Sequence, residues 1–181
     1  DDVSRLAGKY GAKVHSDAVA AFGHIDVDVK KLGVNYLSVS GHKICGPKGT
    51  GFLYVKGGNP VPYMHGGAQE RDRRAGTENV AGIVGLATAA RIAYDTINER
   101  AKQEKRISEY MIKRILREIP YSRLNGDLKN RVPGNMNFSF QYANGGMLVV
   151  MLNKQGICAS AGSACTSNSG KPSHVLLGIG L

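Results

Sequence analysis

One lysine, Lys43, stands in the run Ser38-Val39-Ser40-Gly41-His42-Lys43-Ile44-Cys45-Gly46-Pro47. The approach Tyr36-Leu37-Ser38-Val39 is apolar and β-branched, as a strand end is. It delivers hydroxyl and glycine positions, one histidine and one amine into a turn closed by Gly46-Pro47. A lysine held at a strand end among small donors suits carbonyl chemistry. The amine condenses with an aldehyde or ketone, and neighbouring hydroxyls hold a phosphate. Taken alone, these residues fit a surface lysine in an ordinary loop equally well.

A second run, Ser160-Ala161-Gly162-Ser163-Ala164-Cys165-Thr166-Ser167-Asn168-Ser169-Gly170, surrounds one cysteine with small polar residues. A structural cysteine has apolar neighbours and is inert. Cys165 reads instead as an exposed thiol on a loop, suited to attack at one centre and delivery at another. Cys158 lies in a strand-like apolar segment and is expected in the core, and Cys45 is expected to pack. Three cysteines at wide spacing form neither a disulfide framework nor a metal-ligand cluster, which fits a reducing compartment. A third run is His15-Ser16-Asp17-Ala18. An acid at the end of a parallel strand sits where such sheets bind ligands, and it can pair with a protonated ring nitrogen. The plainer reading of Asp17, favoured on these residues alone, is a cap for the next segment.

These residues need elements to position them. The chain has 181 residues, 42% of them hydrophobic, enough for one sizeable core or two modest ones. Strands are expected at 13–17, 34–39 and 51–55, with a short helix before Leu32 and a helical start from Asp1 to Tyr10. The turn Gly57-Gly58-Asn59-Pro60 closes this part. Residues 64–77 read as a loop. A helix of about forty residues follows, capped by Thr77 and stopped by Pro120. Beyond it come a strand at 135–141, a helix at 146–154, a short strand at 157–160 and a final helix begun by Pro172. Strands alternating with helices argue for α/β layers, with a domain change near residue 100.

The net charge of +10 is uneven: residues 100–131 hold ten basic and four acidic residues, +6 of the total. Such a run would attract nucleic acid or an acidic protein. Ile107, Met111, Ile115 and Ile119 recur at helical spacing through it, so a solvated basic helix face is the preferred reading. No apolar stretch is long enough to span a bilayer and no leader opens the chain, so a soluble, cytoplasmic protein is expected. The abrupt start at Asp1 and end at Leu181 suggest part of a longer polypeptide.

Together and in this order, the runs resemble the cysteine desulfurases of the class V aminotransferase family, the NifS/IscS-like group. The matching text is His15-Ser16-Asp17-Ala18-Val19, Ser40-Gly41-His42-Lys43-Ile44-Cys45-Gly46-Pro47-Lys48-Gly49, Gly66-Gly67-Ala68-Gln69-Glu70 and Arg73-Arg74-Ala75-Gly76-Thr77-Glu78-Asn79. It continues in Ala161-Gly162-Ser163-Ala164-Cys165-Thr166-Ser167 and Pro172-Ser173-His174-Val175-Leu176. The resemblance implies the α/β fold of the fold type I pyridoxal phosphate (PLP) enzymes. Residues 1–99 would be part of the PLP-binding large domain, with its mixed sheet. Residues 100–181 would be a small α+β domain carrying the cysteine loop, both incomplete. It implies that Lys43 binds pyridoxal 5'-phosphate covalently and later shuttles a proton. Asp17 would pair with the ring nitrogen, and Ser40 and His42 would hold the phosphate. Thr77 would reach the phosphate in the partner subunit of a homodimer. Cys165 would take sulfur from L-cysteine as a persulfide, leaving L-alanine. An iron–sulfur scaffold would be the acceptor, and the loop has the longer NifS/IscS-like form.

The chain departs from the family pattern at Ala20, where a glutamine usually donates to the cofactor ring, and at Tyr142-Ala143-Asn144-Gly145-Gly146, which replaces an acidic turn. The ring-stacking histidine and a substrate asparagine would precede Asp1, and the carboxylate-binding arginine would follow Leu181. An isolated chain is therefore expected to be an incomplete enzyme with exposed strand edges. Selenocysteine lyase, a non-catalytic sulfur-relay module and a basic nucleic-acid binder remain as alternatives.

Overall fold

The computed structural model describes residues 2–162 and 173–180. Packing divides the chain into two units, Asp1–Gln103 and Glu104–Leu181. In the first, strands β1 (His15–Asp17), β2 (Tyr36–Ser40) and β3 (Gly51–Val55) form one sheet in that order. β1 and β2 run parallel, and β3 returns antiparallel to β2. The period-2 alternation of β2 decides its faces. Leu37 and Val39 are buried, while Ser38 and Ser40 are half-buried on the opposite side. A slip of one residue would exchange the two sets, so the apolar pair fixes the register that places the serines.

The crossover from β1 to β2 carries α2 (Val29–Leu32). The Asp28 side chain caps it, accepting from the backbone N–H of Lys30 at 2.8 Å and of Lys31 at 3.3 Å. Those two N–H groups, Lys30 first, hold the Asp28 carboxyl below the ordinary carboxylate range. Gly33 ends the helix at φ 68°, a left-handed conformation that favours glycine. The helix α1 (Asp2–Lys9) precedes the sheet and buries none of its residues.

Two apolar clusters form the interior of this unit. One gathers Ala18, Val34, Leu37 and Val39, and the other Ile44, Leu86, Ala89 and Ala93. Phe22 packs against both and meets Phe52 edge-on, with ring centroids 5.4 Å apart. Leu86, Ala89 and Ala93 lie on α4 (Val80–Asp95). The expected forty-residue helix is in fact two, α4 and α5 (Ile97–Glu118), separated by Thr96. The N-cap of α4 is Asn79 rather than Thr77: its side-chain Oδ1 accepts the Gly82 N–H at 3.0 Å. Arg100 binds the break. Its Nη2 donates to Gly23 O at 2.5 Å and Ala93 O at 2.8 Å, and its Nε to Thr96 Oγ1 at 3.0 Å. The expected loop at 64–77 contains the single turn α3 (Gln69–Asp72), in which Glu70, Arg71 and Asp72 all have positive φ.

In the second unit, β4 (Ser122–Leu124) and β5 (Phe138–Phe140) form an antiparallel pair, followed by α6 (Gly145–Lys154) and α7 (His174–Gly178). β4 was not expected, because Ser122-Arg123-Leu124 is too short to show a period. Residues 157–160 were expected as a strand but have no strand partner among the described residues. Cys158 there is exposed, not in the core, and Cys45 is exposed rather than packed. The interior of this unit is partly polar. Asn125, 5% exposed, donates through Nδ2 to Asn137 Oδ1 at 2.6 Å and Ser139 Oγ at 2.9 Å. Arg131 closes the knot by donating to Asn125 O at 2.7 Å.

Candidate active site

The parallel pair β1–β2 brings the expected residues to one end of the sheet. Asp17 is the last residue of β1, and Ser40 the last of β2. Beyond Ser40 the chain tightens into one 3-10 turn, Gly41–Ile44, which carries His42 and Lys43. The turn is held by backbone bonds: Gly41 N–H donates to Thr50 O and Gly46 N–H to Gly41 O, both at 2.8 Å. Cys45 closes it in the left-handed region at φ 61°. Ile44 is buried against Leu86, Ala89 and Ala93, so α4 supports the turn from behind. His42 and Lys43 themselves are exposed. A buried anchor next to an exposed amine lets the lysine meet a ligand without unfolding its support.

Ser40 Oγ and His42 Nδ1 are 2.7 Å apart, so hydroxyl and imidazole are paired at the strand end. Asp17 Oδ1 accepts from the Val19 N–H at 2.9 Å. This local bond is the capping role read for Asp17 from sequence, and among the described residues it engages one oxygen of the carboxylate. Ala20 is exposed and has no side-chain polar atom to offer. Thr77 is exposed in the segment before Asn79. Cys165 lies outside the described residues. The structure thus places Asp17 and the Ser40–His42–Lys43 turn at the same end of the β1–β2 pair.

Two histidine contacts were not expected from sequence. His15 Nε2 lies 2.7 Å from Ser38 Oγ, and His24 Nε2 lies 3.3 Å from Lys43 O, against the backbone of the lysine turn. The strand alternation that puts His15 on the face of Asp17 was the available signal for the first. The second depends on tertiary contact and had none. Among the described residues no group of His, Cys, Asp and Glu side chains could hold a metal ion, and no single helix is long and apolar enough to cross a membrane.

The aminotransferase class-V family model matches residues 1–180. The chain belongs to the class V aminotransferase family. Its similarity to individual class V proteins is substantial. It is 44% identical over 179 residues to cysteine desulfurase IscS of Dictyoglomus turgidum, an alignment covering 98% of this chain and 45% of that protein. A solved NifS-like protein from Rickettsia africae superposes with a TM-score of 0.84 at 31% identity, covering 93% of this chain and 47% of that one. SspA, solved in complex with cysteine, has a TM-score of 0.74 at 33% identity, covering 99% and 49%. The chain therefore spans about half the length of the curated class V relatives it matches. The mixed α/β architecture expected from the class V resemblance is the one these neighbours share.

Proposed function

We propose that this chain is the part of a cysteine desulfurase that holds pyridoxal 5'-phosphate and supplies the sulfur-accepting thiol. The complete enzyme would convert L-cysteine to L-alanine, with sulfur carried as a persulfide on Cys165 for iron–sulfur cluster assembly. The observation that carries this reading is the placement of Asp17 and the Ser40–His42–Lys43 turn at the same end of two parallel strands. The IscS and NifS-like names of the relatives support the substrate. We assign residues 1–99 to the cofactor-binding domain and 100–181 to a small domain with the cysteine loop. The proposal includes a cytoplasmic homodimer in which Thr77 reaches the partner's phosphate site, with a scaffold protein as sulfur acceptor.

The donor set fits the cofactor by its chemistry. A carboxylate suits a basic ring nitrogen, a hydroxyl and an imidazole suit a phosphate, and a primary amine suits an aldehyde. When bound, pyridoxal phosphate supplies an electron sink that makes the substrate α-carbon acidic. Asp17 would hold a proton at the ring nitrogen. Ser40 and His42, bonded to each other, would hold the phosphate end. Lys43 would hold the aldehyde end and would carry a proton on its Nζ. Cys165, as thiolate, would attack the substrate sulfur: the S–S bond forms as the Cβ–S bond breaks, and the electron pair stays with the carbon that takes up a proton to become the alanine methyl.

Incubation with pyridoxal phosphate, borohydride reduction and peptide mapping tests the site directly. Selective labelling of Lys43 is the expected result; scattered labelling of many lysines would mean that this chain does not form the site alone, and the same result in the complete protein would refute the assignment. In the complete enzyme, Lys43→Ala should abolish turnover. Cys165→Ser should keep cofactor and substrate binding yet release no sulfur. Normal alanine and sulfide production by Cys165→Ser would remove Cys165 as nucleophile. Persulfide uptake by Cys165 without alanine formation would favour a sulfur-relay module.

A further inference from the structure

Lys43 has a backbone carbonyl that its own turn does not satisfy. A 3-10 turn bonds a carbonyl to the N–H three residues on, and an α-helical turn to the N–H four residues on. For Lys43 these positions are Gly46 and Pro47. The Gly46 N–H donates to Gly41 O at 2.8 Å, and proline has no N–H. Cys45, between them, turns the chain away in the left-handed region at φ 61°. A carbonyl left over at the end of such a turn takes its partner from elsewhere.

That partner is His24, from the connection between β1 and β2: its Nε2 lies 3.3 Å from Lys43 O. A carbonyl only accepts, so Nε2 carries the proton. His24 is itself held in place. Its backbone N–H donates to Ala21 O at 3.0 Å. Gly23, beside it, sits so close to Ile44 that an added Cβ would lie 2.6 Å from Ile44 Cγ2. Gly23 O accepts from Arg100 Nη2 at 2.5 Å. The segment therefore grips the lysine turn at two successive residues, by packing at Ile44 and by a hydrogen bond at Lys43. We infer that His24 is a positioning residue for Lys43, fixing the peptide unit from which the amine-bearing side chain leaves. The inference rests on the proposed role of Lys43 and deepens it. The competing role for His24 is a tie that only stabilises the fold.

The two roles separate on cofactor binding. A turn that leaves its place lowers the fraction of molecules competent to bind, and the apparent dissociation constant rises accordingly. One lost hydrogen bond corresponds to about fivefold. In the complete protein, wild type, His24→Ala, His24→Phe, His24→Gln and Val34→Ala are each titrated with pyridoxal phosphate. Melting temperature and amide exchange at Gly46 are measured without it. His24→Ala, and His24→Phe, which keeps a ring but no donor, should each weaken binding by about that factor and speed exchange at Gly46. His24→Gln, which keeps an N–H donor, should recover the wild-type values. Val34→Ala, in the other apolar cluster, should lower the melting temperature and leave the affinity unchanged. Unchanged affinity in both His24→Ala and His24→Phe, whatever the exchange at Gly46, would overturn the inference and leave a structural tie. An equal loss of affinity in Val34→Ala would overturn it too, as an effect of stability alone. Failure of the wild type itself to label at Lys43 would overturn the underlying site assignment, and needs no variant to be seen.

Discussion

In Asp1–Gln103 the interior is apolar, with Leu37 at 2% exposure and two clusters joined through Phe22. In Glu104–Leu181 the described buried residues are Ser108, Ile112 and Asn125, while Met147, Val150 and Met151 stand exposed at helical spacing on α6. The first unit is held by packing, which is non-directional and tolerates rearrangement of its surface. The second relies on hydrogen bonds that lose their value when one partner goes. The Ser40–His42–Lys43 turn is anchored in the packed unit, through Ile44.

The largest predicted effect is in the apolar interior. Leu37→Ala should cost about 2–5 kcal/mol through lost burial and a cavity, read as a drop in the denaturant midpoint. Gly23→Ala should cost about 1–3 kcal/mol from overpacking, plus backbone strain. Gly23 has φ 78°, and an added Cβ would lie 2.6 Å from Ile44 Cγ2 and 3.1 Å from Ala93 Cβ. If both variants melt like wild type, the packed core does not control this unit.

Next comes the polar knot. Asn125→Ala strands Asn137 and Ser139 and should destabilise the second unit by about 1–3 kcal/mol. Amide exchange should report the loss first in β4 and β5. Arg100→Ala should cost a similar amount, about 1.5–3 kcal/mol, but its loss should appear at Gly23 and the end of α4. An effect of Arg100→Ala confined to β4 and β5 would break the contrast between the units.

The smallest effect belongs to the surface of α5. Arg114, then Arg117, pull the Glu118 carboxyl down from its ordinary value to about 2. The folded value is the lower one, so this contribution is complete above the ordinary carboxylate value and is lost as pH falls toward about 2. Glu118→Gln should erase that acid-side loss and change little at neutral pH, because the pair is exposed and screened. A pH series of chemical denaturation checks it.

The positions of Asp17 and Ser40 were legible because each ends a strand whose period is short and clear. β3 matches its expected span, and β2 ends at the serine that opens the lysine turn. The Thr96 break was hidden because Ile92, Thr96 and Arg100 keep helical spacing, while the hydroxyl and guanidinium that stabilise the interruption act through space. Asn79 displaced Thr77 as cap because only its side chain is placed to reach the Gly82 N–H. The two cysteines expected inside are exposed because apolar neighbours in sequence do not fix which way a side chain points. Ile157, beside Cys158, is itself 52% exposed.

The lysine turn is also the connection of a hairpin: it lies between β2 and β3, which pair antiparallel from Tyr36–Val55 to Ser40–Gly51. β1 joins the same sheet only after a crossover through α2. Short loops close sooner than long ones, because less chain entropy is lost before the first contacts form. The amine end of the site is therefore expected to assemble early in folding and the carboxylate end later. Substitutions in β2 and β3 should slow folding, whereas those in β1 should mainly hasten unfolding. The chain would build the handle for its ligand before the group that tunes it.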